Sequence, residues 1–229
     1  MVENLPTQPS KRVADFLERA KASHRGRLIF VVDATASRQP TWDASARLQA
    51  QMFDEASRLG TLDVQLIYFR GERDYGGECT ASPWTSDGRE LARRMTQVTC
   101  ITGHTQYGKA FEHVRKEHAK EPVGAVVVIG DMCEEAAPTL YDAVGGLGVP
   151  CFMFQEGGDR SEHEYRNANE IFREMARLTK GAYSQFRPGA ERELAELLRE
   201  VAAFATGGLT ALSDMRSEAA AKLLGQMKK

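Results

Sequence analysis

The chain has 229 residues, 42% of them hydrophobic and 27% charged, with a formal net charge of −2. That length suits one large domain with a substantial core, and the near-neutral balance argues against a nucleic-acid-binding protein. The longest apolar runs, such as Ala125 to Ile129, are far too short to cross a bilayer. Near the amino terminus, Val13, Phe16, Leu17 and Ala20 are spaced as one face of an amphipathic helix over residues 11–24. Leu28 to Val32 is a continuous apolar run, the pattern of a strand buried on both faces, and it leads directly into "DATAS". Trp42 to Leu59 returns to helical spacing and Gly60 closes it. Val64 to Phe69 reads as a second strand. Glu78 to Thr85, interrupted by Pro83, reads as an edge strand hairpin-paired with it.

Asp87 with Glu90 three positions on forms a capping pair, opening a helix that buries Leu91, Met95 and Val98. The loop "TCITGHTQ" enters a helix carrying Tyr107, Ala110, Phe111 and Val114. Ala125 to Ile129 and Val149 to Phe154 are two more buried strands, with a short helix over Pro138 to Val144 between them. After the polar "QEGGDRSEHE" come a helix through Ala168, Ile171, Phe172, Met175 and Leu178, and a short strand over Ala182 to Phe186. A last long helix spans Arg192 to Ala205. Beyond Gly207 and Gly208 the tail is helix-prone and is expected to dock on the domain or fray. Apolar strands alternating with amphipathic helices specify an α/β fold, a mostly parallel sheet with helices on both faces. The four cysteines, Cys79, Cys100, Cys133 and Cys151, form no CxxC pair, and no apolar leader precedes the first helix. Both features lead to the expectation of reduced thiols in a cytoplasmic protein.

In a doubly wound sheet, ligands sit beyond the carboxyl ends of the strands. There the chain places Asp33, Thr35 and Ser37 after the first strand and Asp131 after the third buried strand. Thr105 stands at the entrance of the helix that begins near Tyr107. Two carboxylates and three hydroxyls suit a hard divalent cation such as Mg²⁺, which takes oxygen ligands and keeps open positions. Such a cation would accept a carboxylate from a partner as its last ligand, and nearby helix amino termini would favour that anion. The plainer reading is capping, with Thr105 as a helix N-cap and Asp33 satisfying loop amides.

"FVVDATAS", "GHTQYGKAF" and "VVVIGDMCEE" together resemble the von Willebrand factor A (VWA) family and its metal-ion-dependent adhesion site (MIDAS). The family pattern is Asp-x-Ser-x-Ser, then a threonine, then an aspartate after a later strand. Asp33 matches the first aspartate, Ser37 the second serine, Thr105 the threonine and Asp131 the closing aspartate. Thr35 stands where the first serine is usual. The resemblance implies a Rossmann-like six-stranded sheet of order 3-2-1-4-5-6 with one antiparallel edge strand, over residues 26–206. An amino-terminal helix within residues 1–25 precedes it and a tail over residues 207–229 follows. It implies Mg²⁺ (or Mn²⁺ or Ca²⁺) as cofactor and a partner protein presenting Asp or Glu, without catalysis, nucleic acid or membrane. With the thiols, it points to a bacterial-style cytoplasmic adaptor. "GDMCEE" replaces the family's Thr-Asp-Gly, so Glu134 and Glu135 crowd the rim, as internal ligands or as repellents of an acidic partner.

Two readings of other classes stand beside this one. "DATAS" resembles the nucleophile loop of haloacid dehalogenase-like phosphotransferases, but Thr35 occupies the position of their second aspartate. A scaffold with a vestigial site is the other. Cys133 paired with His104 would make a nucleophile and base, against the plainer view of a small apolar filler and a loop histidine. No phosphate-binding, nucleophile-elbow or dinucleotide motif is present. Trp42 and Trp84 lie near the expected ligand face, either exposed there or partly in the core.

Overall fold

A computed structural model describes residues 25–39, 42, 62–71, 77–157, 162–187 and 190–227. The helices expected over residues 11–24 and 42–59 lie, Trp42 apart, outside the described residues. The strands are β1 (Gly26–Asp33), β2 (Leu62–Arg70), β3 (Glu78–Ala81), β4 (Ala125–Gly130), β5 (Cys151–Glu156) and β6 (Ala182–Phe186). They form one sheet of order β3-β2-β1-β4-β5-β6, with β3 antiparallel to β2 and every other pairing parallel. This is the α/β architecture and strand order expected from the sequence. The helices are α1 (Gly88–Gln97), α2 (Tyr107–Lys120), α3 (Ala137–Gly145), α4 (Glu162–Leu178), α5 (Glu191–Asp214) and α6 (Glu218–Met227).

The continuous apolar strands explain the two-faced core. Side chains alternate across a strand, so Leu28, Phe30 and Val32 enter one apolar layer and Ile29 and Val31 the other. The first layer packs against residues of α1, α5 and α6, and the second against residues of α2, α3 and α4. Each fully buried side chain of this kind contributes about 1.5–3 kcal/mol, so β1, buried along its whole length, is held in register from both sides. Its carboxyl end is therefore a rigid platform.

The edge and the tail differ from the sequence expectation in detail. β3 stops at Ala81, the Ser82 N–H still donates to Leu66 O at 2.7 Å, and the next bridge to β2 is Thr85 with Val64. Pro83 lies between, and a proline has no N–H to give the ladder. α5 runs on past Ala205 to Asp214, with a kink at Gly208 (φ 64°, ψ −154°), a backbone conformation that glycine adopts without steric cost. Beyond it α6 buries Ala220 and Leu223 against the core. At the sheet edge, the Gln226 side chain accepts from Tyr183 N and donates to Tyr183 O, both at 2.9 Å, making the bonds a further strand would make on β6.

Candidate metal centre

The register Val32↔Ile129 between β1 and β4 sets Asp33 beside Gly130, with Asp131 one residue past the end of β4. Gly130 has to be glycine. A Cβ there would lie 2.0 Å from the Tyr107 hydroxyl and 3.4 Å from Asp33 Cβ. Asp33 is fully buried. Its Oδ1 accepts the Thr35 N–H at 2.8 Å, a turn closed by an aspartate on its own loop. Its Oδ2, equally buried, has no hydrogen-bond partner among the described residues.

The other oxygens come from adjoining loops. Thr35 is buried, and its hydroxyl lies 3.0 Å from that of Ser37, which reaches solvent on the short 3₁₀ turn Ala36–Arg38. Asp131 is almost wholly buried, and its backbone carbonyl accepts from Gln155 Nε2 at 3.2 Å. The loop before α2 is fastened to the end of β1: Ile101 N–H donates to Ala34 O at 3.1 Å, and Ile101 bridges Thr35 in parallel. That loop carries Thr105, which is buried and exchanges two bonds with Glu134. Its N–H donates to Glu134 Oε2 at 3.0 Å, and its hydroxyl accepts the Glu134 N–H at 3.1 Å. The five residues singled out from the sequence thus stand on three adjoining loops, tied to one another at the carboxyl ends of β1 and β4.

Burial and charge make this a place short of positive charge. Burial, and then the neighbouring Asp131 carboxylate, raise the Asp33 pKa from 3.8 to about 7, against the opposing pull of Arg38 and of the Thr35 hydrogen bonds. Among the described residues no three His, Cys, Asp or Glu side chains group as metal ligands. A cation here would rest on two carboxylates plus hydroxyls, the donor set of a hard ion that keeps part of its water.

Several functional features were not read from the sequence. Arg38 has its side chain fully buried, with Nε 2.8 Å from Glu156 Oε2 at the end of β5. The guanidinium also faces the Trp42 ring at 6.0 Å. The available signal was that the β5 apolar run continues into Gln155 and Glu156, two polar residues that remain inside the strand. Thr105 is not the N-cap of α2; that position is Gln106, which makes no side-chain cap. The α2 amino end is instead occupied by Glu135, whose carboxylate accepts from Tyr107 N and, at 3.1 Å, from Gly108 N. Glu134 and Glu135 therefore face backbone N–H groups, and the helix end meant to attract a partner's acid already holds one of the chain's own. Removing that cap by Glu135→Ala should cost about 1–2 kcal/mol in urea unfolding, with earlier amide exchange in the first turn of α2.

The thiol and tryptophan readings also change. Burial pushes the Cys133 thiol up to about 12, the opposite of an activated nucleophile. Trp42 is core, its indole donating to Val98 O at 2.9 Å. Trp84 stacks under the Arg27 guanidinium at 3.8 Å, beside the amino end of β1 and away from the site.

No protein-family model matches the chain, and no curated protein sequence matches it. Solved structures do match. The pilus adhesin SpaC of Lactobacillus rhamnosus GG superposes with TM-score 0.60 at 11% identity, over 79% of this chain and 30% of its own. The vWF domain of the type V pili tip protein Mfa5 from Porphyromonas gingivalis gives TM-score 0.51 at 10% identity, over 77% of this chain and 93% of that domain. The likeness is one of fold. The manganese-loaded TRAP protein of Plasmodium vivax shares it, with TM-score 0.53 and 16% identity over 77% of this chain and 74% of its own. This chain therefore has a VWA-like fold, and it spans less than a third of the SpaC chain.

Proposed function

We propose that the chain is a cation-dependent protein–protein interaction module of the VWA type. Asp33, Thr35, Ser37, Thr105 and Asp131 would hold Mg²⁺, or Mn²⁺ or Ca²⁺ in its place. The observation that carries this reading is Asp33, whose buried Oδ2 has no hydrogen-bond partner among the described residues and whose pKa is raised by burial and then by Asp131. Two buried carboxylates side by side are costly unless a cation offsets them. The three hydroxyls add ligands without adding charge, and the manganese-loaded state of TRAP supports a cation in this fold.

When bound, the cation would supply an electrophilic position open to the carboxylate of a partner's Asp or Glu. The chain's own residues do the rest. The Thr35 N–H holds Asp33 in one orientation, and the exchange between Thr105 and Glu134 locks the loop after β4. Glu135 satisfies the α2 amino end, leaving that end no further call on the partner's acid. A reducing compartment such as the cytoplasm fits the four cysteines, all of them free thiols. Among the described residues no helix is long and apolar enough to cross a membrane.

Calorimetry with MgCl₂ and MnCl₂ tests the reading. Wild type should bind one cation, while Asp33→Ala and Asp131→Ala should each lose binding at least about 100-fold and remain folded by circular dichroism. Unchanged affinity in either variant would overturn the assignment of these ligands. Magnesium-dependent turnover of a generic phosphoester, abolished by Asp33→Ala, would replace it with a phosphotransferase.

A further inference from the structure

Gln155 puts a fully buried amide near the end of β5, beside Gly130 in the register with β4. It lies two positions beyond Met153, so it shares the sheet face that α4 covers. An unpaired amide there would be costly, and this one is bonded at both ends. Its Nε2 donates to Asp131 O at 3.2 Å, and its Oε1 accepts from the Tyr183 hydroxyl at 2.7 Å. The Tyr183 oxygen in turn accepts from Asn169 Nδ2 at 2.7 Å, and Asn169 Oδ1 accepts from Arg173 Nε at 2.6 Å. The Arg173 guanidinium also lies over the Tyr183 ring at 4.4 Å, and Gln226 holds the Tyr183 backbone by its N–H and its carbonyl.

The direction of each bond follows from the one before it. A guanidinium has donors only, so Asn169 presents Oδ1 to Arg173 and Nδ2 to Tyr183. The phenol, already accepting from Asn169, gives its single proton to Gln155 Oε1, which leaves the Gln155 NH₂ group facing Asp131 O. An exposed arginine on α4 thus sets, four hydrogen bonds away, which end of a buried amide meets the Asp131 carbonyl. With the direction reversed, the amide would turn its oxygen toward that carbonyl, acceptor against acceptor, and the Asp131 loop would lose its tie to β5.

We propose that Gln155, Tyr183, Asn169 and Arg173 are positioning residues for Asp131: their one-way series of hydrogen bonds pins its carbonyl and so aims its carboxylate at the candidate centre. This rests on the cation-dependent reading above. Asn169→Asp and Arg173→Glu test it, because orientation and charge predict opposite signs. Each puts an acceptor where the series needs a donor, so the Tyr183 proton turns to residue 169 and the Gln155 amide turns round. Added negative charge alone would tighten Mg²⁺ binding, weakly at roughly 0.15 M salt. Calorimetry should instead show Mg²⁺ affinity reduced at least about tenfold in both variants. Arg173→Lys, again a donor only, should bind Mg²⁺ as wild type does. Arg173 is exposed, so its two variants leave the core intact. In the metal-free chain, the Gln155 side-chain amide followed by NMR should exchange with solvent faster in Asn169→Asp and Arg173→Glu and unchanged in Arg173→Lys.

Equal or tighter Mg²⁺ binding in the two acidic variants, an equal loss in Arg173→Lys, or a Gln155 amide indifferent to all three substitutions would overturn the proposal. If wild type binds Mg²⁺ and the acidic variants bind it as well, only the positioning role fails. If wild type does not bind Mg²⁺, the cation reading fails and this one with it.

Discussion

In metal-free buffer the protein should lose stability as pH rises from 4 to 8, by on the order of 4 kcal/mol, and Asp33→Asn should abolish most of that loss. The cause is the Asp33 carboxyl, raised from 3.8 to about 7 by burial and by Asp131. Below pH 3.8 it is protonated in both states and burying it carries no charge. Between 3.8 and about 7 the unfolded chain has released the proton while the folded chain still holds it, so rising pH favours unfolding. Above about 7 the loss is complete. Beyond burial, Asp131 raises the Asp33 pKa, Arg38 and the Thr35 hydrogen bonds lower it, and the Tyr107 phenol and Cys100 thiol are in turn pushed up by burial and by the Asp33 charge.

His113 works in the opposite direction. Its imidazole, bonded to Gln65, is lowered from 6.5 by burial, so stability gains as pH rises past it. That contribution is the same in Asp33→Asn and cancels in the comparison. Saturating Mg²⁺ should cancel the Asp33 loss, because a cation between the carboxylates favours their ionised forms. The rise in Tm on adding Mg²⁺ should therefore be larger at pH 8 than at pH 5, by roughly 5–10 °C for a chain of this size. Urea titrations at four pH values, with EDTA and with Mg²⁺, measure both effects. A pH profile of wild type parallel to that of Asp33→Asn would mean that the buried carboxylate places no demand on a cation.

The fold was legible because its signals are periodic. The unbroken apolar runs at Leu28–Val32, Ala125–Ile129 and Val149–Phe154 admit strands buried on both faces; the first two lie inside β1 and β4, and the third enters β5 only at Cys151, after which β5 runs on to Glu156. The loop oxygens were legible for a related reason: a strand's carboxyl end is a fixed place, and Asp33, Thr105 and Asp131 each follow a predictable element boundary. What escaped the sequence was long-range pairing of charge. Nothing in the spacing of Arg38 and Glu156, 118 positions apart, marks them as partners, since an arginine after a polar loop is ordinarily solvated. Likewise Glu134 and Glu135 read as rim charges, because the N–H groups they satisfy belong to the loop before α2 and to its first turn, 27 to 29 residues earlier. The capping pair at Asp87 was half right. Asp87 accepts from Arg89 and Glu90 N–H groups, but Glu90 turns outward to Arg93 and Arg94, where two guanidinium groups compete with one backbone donor.

Arg38→Met should destabilise the protein by about 3–5 kcal/mol, and the double variant Arg38→Met/Glu156→Met should recover most of it. The guanidinium lies fully buried with Nε 2.8 Å from a Glu156 carboxylate that is itself 6% exposed. A charge-assisted pair of this kind returns little net stability over an apolar pair of equal volume, because both ions surrender their water. Removing one member leaves the other buried without its counter-ion, which is where the cost arises. The double-mutant cycle should therefore show a coupling of more than about 2 kcal/mol. The same variant reaches the candidate centre by charge. Arg38 lowers the Asp33 pKa, so Arg38→Met should move the pH at which stability is lost upward from about 7. Loss of packing alone would leave that midpoint in place while lowering stability uniformly across pH. If the midpoint holds and the cycle is additive, Arg38 is merely a buried side chain; if both move, Arg38, held in place by Glu156, is the fixed positive charge against which the cation competes for Asp33.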